Sequence, residues 1–163
     1  DCEKNLTKIN KILNKLGQTY KLPVIFSTHP RTKERIKNLK FNKNIKFIKP
    51  LSFTEYNSLQ INSKVVISDS GTISEESSIL NFNAINLRET HERPEAMEEA
   101  SIILSGLNEE RFFQALDIII SNKQEHSQRL KIVQDYNVDN VSEKILRIII
   151  SYTDYINNFT WKK

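Results

Sequence analysis

The chain has 163 residues, which is enough for one domain with a full core and too few for two ordinary ones. A single cysteine, Cys2, excludes an internal disulfide and favours a reducing compartment, so a cytoplasmic location is expected. The net charge of +4 is uneven, since residues 1–50 carry 13 Lys and Arg against 3 Asp and Glu. These lysines fall at ordinary solvent-facing helix positions, and no apolar run approaches the roughly 20 residues that span a bilayer, so neither a nucleic-acid nor a membrane partner is predicted.

Short apolar runs alternate with helical patterns along the chain. The i, i+3, i+4 spacing from Leu6 to Leu16 predicts a first helix that ends near Gly17. Strands are predicted at 23–29, 45–48, 64–68, 84–87 and 101–104, and helices at 31–39, 53–61, 72–80, 108–121 and, as a tail, about 142–157. This alternation predicts one α/β domain over residues 1–163, with a Rossmann-like parallel sheet and helices on both faces.

Three polar clusters follow predicted strands, at the edge of the sheet where such folds bind ligands. They are Thr28-His29, Ser68-Asp69-Ser70 and the charged loop from Arg88 to Arg93. His29 either contacts a ligand or is a structural hydrogen-bonding residue. The one cysteine and three dispersed histidines have no ligand spacing, so no metal is predicted, and no cofactor is implied.

The turn Ser70-Gly71-Thr72 joins a predicted strand to a predicted helix. Gly71 allows close approach of a ligand to the backbone, and the helix N-terminus favours a phosphate. The alternative is a plain helix start, in which Thr72 and Glu75 form a capping box.

Glu76 and Arg93 extend this candidate site. Glu76 either accepts both hydroxyls of a ribose or simply favours the helix dipole. Arg93, which precedes Pro94, has a fork of donors that suits a phosphate or the carboxylate of Glu76, unless it is an exposed loop residue. The combination predicts an anionic, hydroxyl-rich ligand such as a nucleotide sugar.

Two segments carry a resemblance to a known family. Residues 68–76 and 90–95 resemble the C-terminal domain of the non-hydrolysing UDP-N-acetylglucosamine 2-epimerases, a match that extends over essentially the whole chain. Residues 27–32, 77–82, 151–155 and 161–163 look closest to the UDP-N-acetyl-L-fucosamine synthase branch, which epimerises UDP-2-acetamido-2,6-dideoxy-L-talose. Thr72 and Ser74 stand where the plain epimerases commonly have Gly and Gln.

The resemblance implies the C-terminal half of a glycosyltransferase-B architecture that binds a UDP-sugar. By this resemblance Ser70 and Gly71 would hold the diphosphate and Glu76 the ribose, with Arg93 near both. The segment Leu51 to Phe53 would lie along the uracil.

The family reaction eliminates UDP across C1–C2 and re-adds it with C2 inverted, and the resemblance to the branch implies a role in synthesis of capsule or O-antigen of lipopolysaccharide. The resemblance places the catalytic histidine upstream of Asp1 and the acid and base carboxylates in an N-terminal domain that is absent here. The chain alone is therefore expected to be inactive, and the intact isomerase is expected to be a homodimer.

Two alternatives to this function stay open. One is the C-terminal domain of a glycosyltransferase-B transferase, which also uses a carboxylate on ribose but does not explain residues 90–95. The other is a non-catalytic module that binds UDP-sugars.

Overall fold

The computed structural model describes residues 2–28, 30–90, 92–121 and 132–162. The elements of these ranges, in chain order, are α1 Cys2–Tyr20, β1 Val24–Ser27, α2 Pro30–Ile36, β2 Ile45–Ile48, α3 Phe53–Ile61, β3 Val66–Ser68, α4 Ile73–Leu80, β4 Ala84–Asn86, α5 Pro94–Glu98, β5 Ile103–Leu104, α6 Glu109–Ser121 and α7 Val141–Tyr155. They fall into two compact units, Asp1–Val133 and Gln134–Lys163.

All strand pairs of the first unit are parallel. Strands β1 and β2 form one sheet, and β3, β4 and β5 form a second in that order. The predicted α/β class is therefore confirmed, because helices separate successive parallel strands. The structure has two sheets where one was predicted, and residues of β1 and β3 line the same large, mainly apolar cleft.

The core of the first unit fixes the strand that precedes the charged loop. Ile12 and Leu16 of α1 and Phe112 and Leu116 of α6 pack with Ile85 of β4, which is fully buried. Burial of a side chain of this size contributes about 1.5–3 kcal/mol. Because β4 lies between β3 and β5, this core also holds the ends of both neighbours.

The predicted end of the first helix at Gly17 is wrong, because α1 continues to Tyr20. The Tyr20 hydroxyl donates to Asp117 of α6 at 2.9 Å, and Asn44 Nδ2 donates to the carbonyl of Gly17 at 2.8 Å. These tertiary contacts stabilise a last turn that the local pattern does not favour. The helix ends where Lys21 adopts a φ of 52°.

The second unit consists of a 3₁₀ turn, α7 and a π-helical turn at Ile156–Thr160. The tail helix predicted at about 142–157 is thus present. Its apolar side chains are exposed within the unit, with values from 52% at Ile145 to 68% at Ile150. In the parts of the chain that the structure describes, no helix is both long and apolar enough to cross a bilayer.

Candidate functional site

The turn between β3 and α4 forms the centre of the candidate site. Ser70 donates its hydroxyl to Thr72 Oγ1 across 2.9 Å, and Thr72 in turn donates to Glu76 Oε1 at 2.7 Å. These bonds join side chains. The backbone N–H groups in the first turn of α4 have no partner within the helix, so they are the donors for an anion.

The capping box of Thr72 and Glu75, the alternative to a phosphate site at this turn, is not formed. Thr72 has helical dihedral angles, unlike the extended backbone of a typical N-cap, and it makes no side-chain cap bond; its hydroxyl donates to Glu76. The contact between an N-cap and its N3 glutamate occurs instead at α3, where the Ser52 N–H and hydroxyl both donate to Glu55. These bonds lower the pKa of Glu55 below 4.5.

Glu76 is held by two donors from different elements. Gln60 Nε2 of α3 donates to Oε2 at 2.7 Å, and Thr72 donates to Oε1 at the same distance. The carboxylate is half-buried in the first turn of α4. It is thus oriented by side-chain contacts and does not merely complement the helix dipole.

Arg93 lies beside the turn, immediately before α5, which Pro94 begins. A Cβ on Gly71 would stand 3.1 Å from Arg93 Nη1, so the glycine is what allows the guanidinium this close. The carboxylate that Arg93 Nε pairs with is Glu75, a neighbour of the Glu76 that the sequence offered as an alternative to a phosphate. This ion pair holds the arginine against the turn, and the side chains of Glu75 and Arg93 are both about a third exposed.

A second arginine, Arg88, accompanies Arg93. Its Nε donates to the Asp69 carbonyl at 2.8 Å, and its Nη1 is 3.5 Å from the Cβ position of Gly71. Glu92 connects the two guanidinium groups, at 2.9 Å from Arg88 and 3.4 Å from Arg93. A carboxylate therefore already lies between two cations beside Gly71, which is the position that suits a bound phosphate.

Helix α3 contributes one face to the same site. Phe53, Tyr56 and Gln60 follow the i, i+3, i+7 spacing of a single helix face. Phe53 is 81% exposed, and Gln60 is buried at the contact with Glu76. Burial, followed by the negative charges of Glu76 and Asp69, raises the pKa of Tyr56 above 10.0, so its hydroxyl stays protonated at neutral pH.

The structure thus brings together five of the sequence-predicted site residues: Ser70, Gly71, Thr72, Glu76 and Arg93. Phe53 belongs to the adjoining helix, and His29 lies outside the described residues. Sequence reasoning missed Tyr56 and Gln60 as site residues, because nothing local distinguishes either side chain inside α3. It placed Arg88 in a polar cluster at the ligand-binding edge but gave it no role.

The chain is similar over most of its length to proteins of one known family. The sequence profile of the UDP-N-acetylglucosamine 2-epimerase family matches residues 1–150. A UDP-N-acetylglucosamine 2-epimerase from Methanocaldococcus jannaschii is 37% identical over 129 residues, which cover 76% of this chain and 35% of that protein.

Solved structures agree with this likeness. A UDP-N-acetylglucosamine 2-epimerase from Rickettsia bellii superimposes with a TM-score of 0.87 and 45% identity, over 98% of this chain and 44% of the other. The M. jannaschii enzyme in complex with UDP-GlcNAc and UDP superimposes with a TM-score of 0.78 and 33% identity, over 93% and 41%. The chain therefore spans less than half the length of the proteins that it matches.

Proposed function

The chain belongs to the UDP-N-acetylglucosamine 2-epimerase family, and on this premise we propose that it is the UDP-holding half of an enzyme that inverts C2 of a UDP-N-acetylhexosamine. The remaining length of its relatives supports the view that a further, N-terminal domain supplies the acid and base. The intact enzyme would be a cytoplasmic homodimer. We assign no catalytic acid or base to this chain.

The observation that carries the proposal is the arrangement around Gly71. A turn without a Cβ at Gly71, two guanidinium groups within 3.5 Å of the missing Cβ and an oriented carboxylate on α4 are groups that suit a nucleoside diphosphate. The α4 N-terminus and the arginines would bind the diphosphate, and Glu76 would accept the ribose hydroxyls.

The chemistry of the family reaction assigns a role to this half. The C1–O bond breaks with its electron pair moving to UDP, while C2 loses a proton, which leaves a glycal. A proton then returns to C2 on the opposite face, and the diphosphate oxygen bonds to C1 again. Arg88 and Arg93 would stabilise the charge that develops on the departing diphosphate.

A narrower assignment to the UDP-N-acetyl-L-fucosamine synthase branch is also part of the proposal, with capsule or O-antigen of lipopolysaccharide as the end product. It rests on Thr72 and Ser74, the positions at which this chain differs from the plain epimerases. The Thr72 hydroxyl donates to Glu76, a bond that a glycine there has no side chain to make. A completed enzyme that epimerises UDP-GlcNAc faster than the 6-deoxy-talose substrate would overturn this branch assignment.

Calorimetry of UDP binding to the 163-residue chain and to Gly71→Ala tests the proposal. The added methyl group would stand 3.1 Å from Arg93 Nη1, so we expect UDP affinity to fall at least tenfold, about 1.4 kcal/mol. Gly17→Ala is the matched control, because its methyl group would be equally close, at 3.1 Å, to Asn42 Oδ1, away from the turn. Absence of UDP binding by the unmodified chain contradicts the proposal.

An NMR assay of UDP-N-acetylhexosamine turnover tests whether this chain binds UDP without supplying the catalytic acid and base. We expect the 163-residue chain to bind UDP and to epimerise nothing. Turnover by the purified chain would show that its own residues include the acid and base. The assay also addresses the non-catalytic alternative, because a UDP-sugar-binding module would stay inactive even when an N-terminal epimerase domain is added.

A further inference from the structure

Gln60 is a polar side chain in a position where an apolar one would be expected. It is only 3% exposed, near the end of α3. Its Nε2 donates to Glu76, but its Oε1 has no hydrogen-bond partner among the described residues. An unpartnered buried amide oxygen is destabilising, so a leucine or methionine would suit the stability of α3 better.

We propose that Gln60 is a positioning residue that sets the carboxylate of Glu76 to receive both hydroxyls of a ribose. The inference rests on the proposed function, since it concerns how the same site recognises its nucleotide. The unfavourable burial of the amide is then offset by ligand binding instead of by folding.

The geometry of Glu76 supports this role. A carboxylate accepts about four hydrogen bonds, two at each oxygen. Gln60 occupies one position at Oε2 and Thr72 occupies one at Oε1. One acceptor position remains on each oxygen, which matches two adjacent hydroxyls of a ribose.

The orientation of the Gln60 amide is determined by its partner. An amide oxygen directed at a carboxylate would be repelled, so the NH₂ group must face Glu76. The bond joins residues 16 apart in sequence, on α3 and α4. It therefore ties the helix that carries exposed Phe53 to the helix that carries the carboxylate.

Calorimetry with two nucleotides tests the inference on the full 163-residue chain. The probes are UDP and 2′,3′-dideoxyuridine diphosphate, which lacks both hydroxyls. We expect Gln60→Leu to lower UDP affinity roughly tenfold and dideoxy-UDP affinity less than about twofold. In a Glu76→Gln background, Gln60→Leu should change UDP affinity little, because both act through one carboxylate. Gln114→Leu, at an exposed glutamine of α6, is the matched control and should bind both probes normally.

The outcomes separate this inference from the proposed function. If the unmodified chain fails to prefer UDP over dideoxy-UDP, the ribose role of Glu76 itself is overturned. If the unmodified chain has that preference and Gln60→Leu keeps it, Gln60 does not position the carboxylate. An equal loss for both probes in Gln60→Leu also overturns the inference, because it marks a role in folding alone. Binding of dideoxy-UDP by the variant shows that it is folded.

Discussion

Replacement of Glu76 by glutamine is the most informative single change in the site. It keeps the size of the side chain and removes its charge and one of its two acceptor oxygens. In Glu76→Gln, the remaining oxygen would accept from Gln60, whose NH₂ group cannot accept. The new NH₂ group would then face Thr72, whose hydroxyl can rotate to receive it.

The expected size of the effect follows from these contacts. Gln60 and Thr72 both stay bonded to residue 76, Thr72 now as an acceptor, so α4 should remain folded and the melting temperature should change little. The ligand loses at least one hydrogen bond to a charged acceptor, which is worth about 1.5–3 kcal/mol. UDP affinity should therefore fall by roughly tenfold to 150-fold.

Calorimetry with UDP and thermal unfolding followed by circular dichroism measure the two quantities. Glu143→Gln is the matched control, since Glu143 also lies in the first turn of a helix, α7, but in the second unit. If Glu76 acted only through the helix dipole, both variants would lose a little stability and UDP affinity would not change. That result would refute the ribose assignment.

Three further predictions concern charge and exposed apolar surface. Arg93→Lys should lower UDP affinity tenfold or more, about 1.4 kcal/mol, because one ammonium cannot replace a fork that pairs with Glu75 and a phosphate together. Calorimetry that finds unchanged affinity would contradict the assignment of Arg93 to the UDP site. Hydrogen bonds from Lys11, the larger cause, and from Lys15 lower the pKa of Glu109 below its ordinary 4.5. These contacts therefore stabilise the fold above pH 4.5, and their contribution is lost as pH falls through the lowered pKa. Urea unfolding should show a smaller loss of stability on acidification in Glu109→Gln than in the unmodified chain, and equal losses would refute this. The exposed apolar side chains of α7 should make the chain self-associate, which light scattering would measure. Ile149→Glu, at a side chain 58% exposed, should weaken the self-association, and a strictly monomeric unmodified chain would contradict the prediction.

Much of the local structure was predictable because it depends on residues close in sequence. The predicted bounds of β2 and α3 match those observed, and α4 begins one residue after its predicted start. The turn at Gly71 was identified by the change from an apolar run to small polar residues, followed by a helical pattern. Each of these signals is complete within a few residues, so no knowledge of the tertiary fold was needed.

The family, the α/β class and the position of the turn were thus determined by the amino-acid sequence itself. Which partner each charged or polar side chain takes was decided only by the tertiary structure. Glu76 bonds to Gln60, Arg93 to Glu75 and Arg88 to the Asp69 carbonyl, across 16, 18 and 19 residues of chain. A carboxylate bonds to whichever donor the packing of helices and strands brings within about 3 Å, and neighbouring glutamates are equally suitable until that packing selects one.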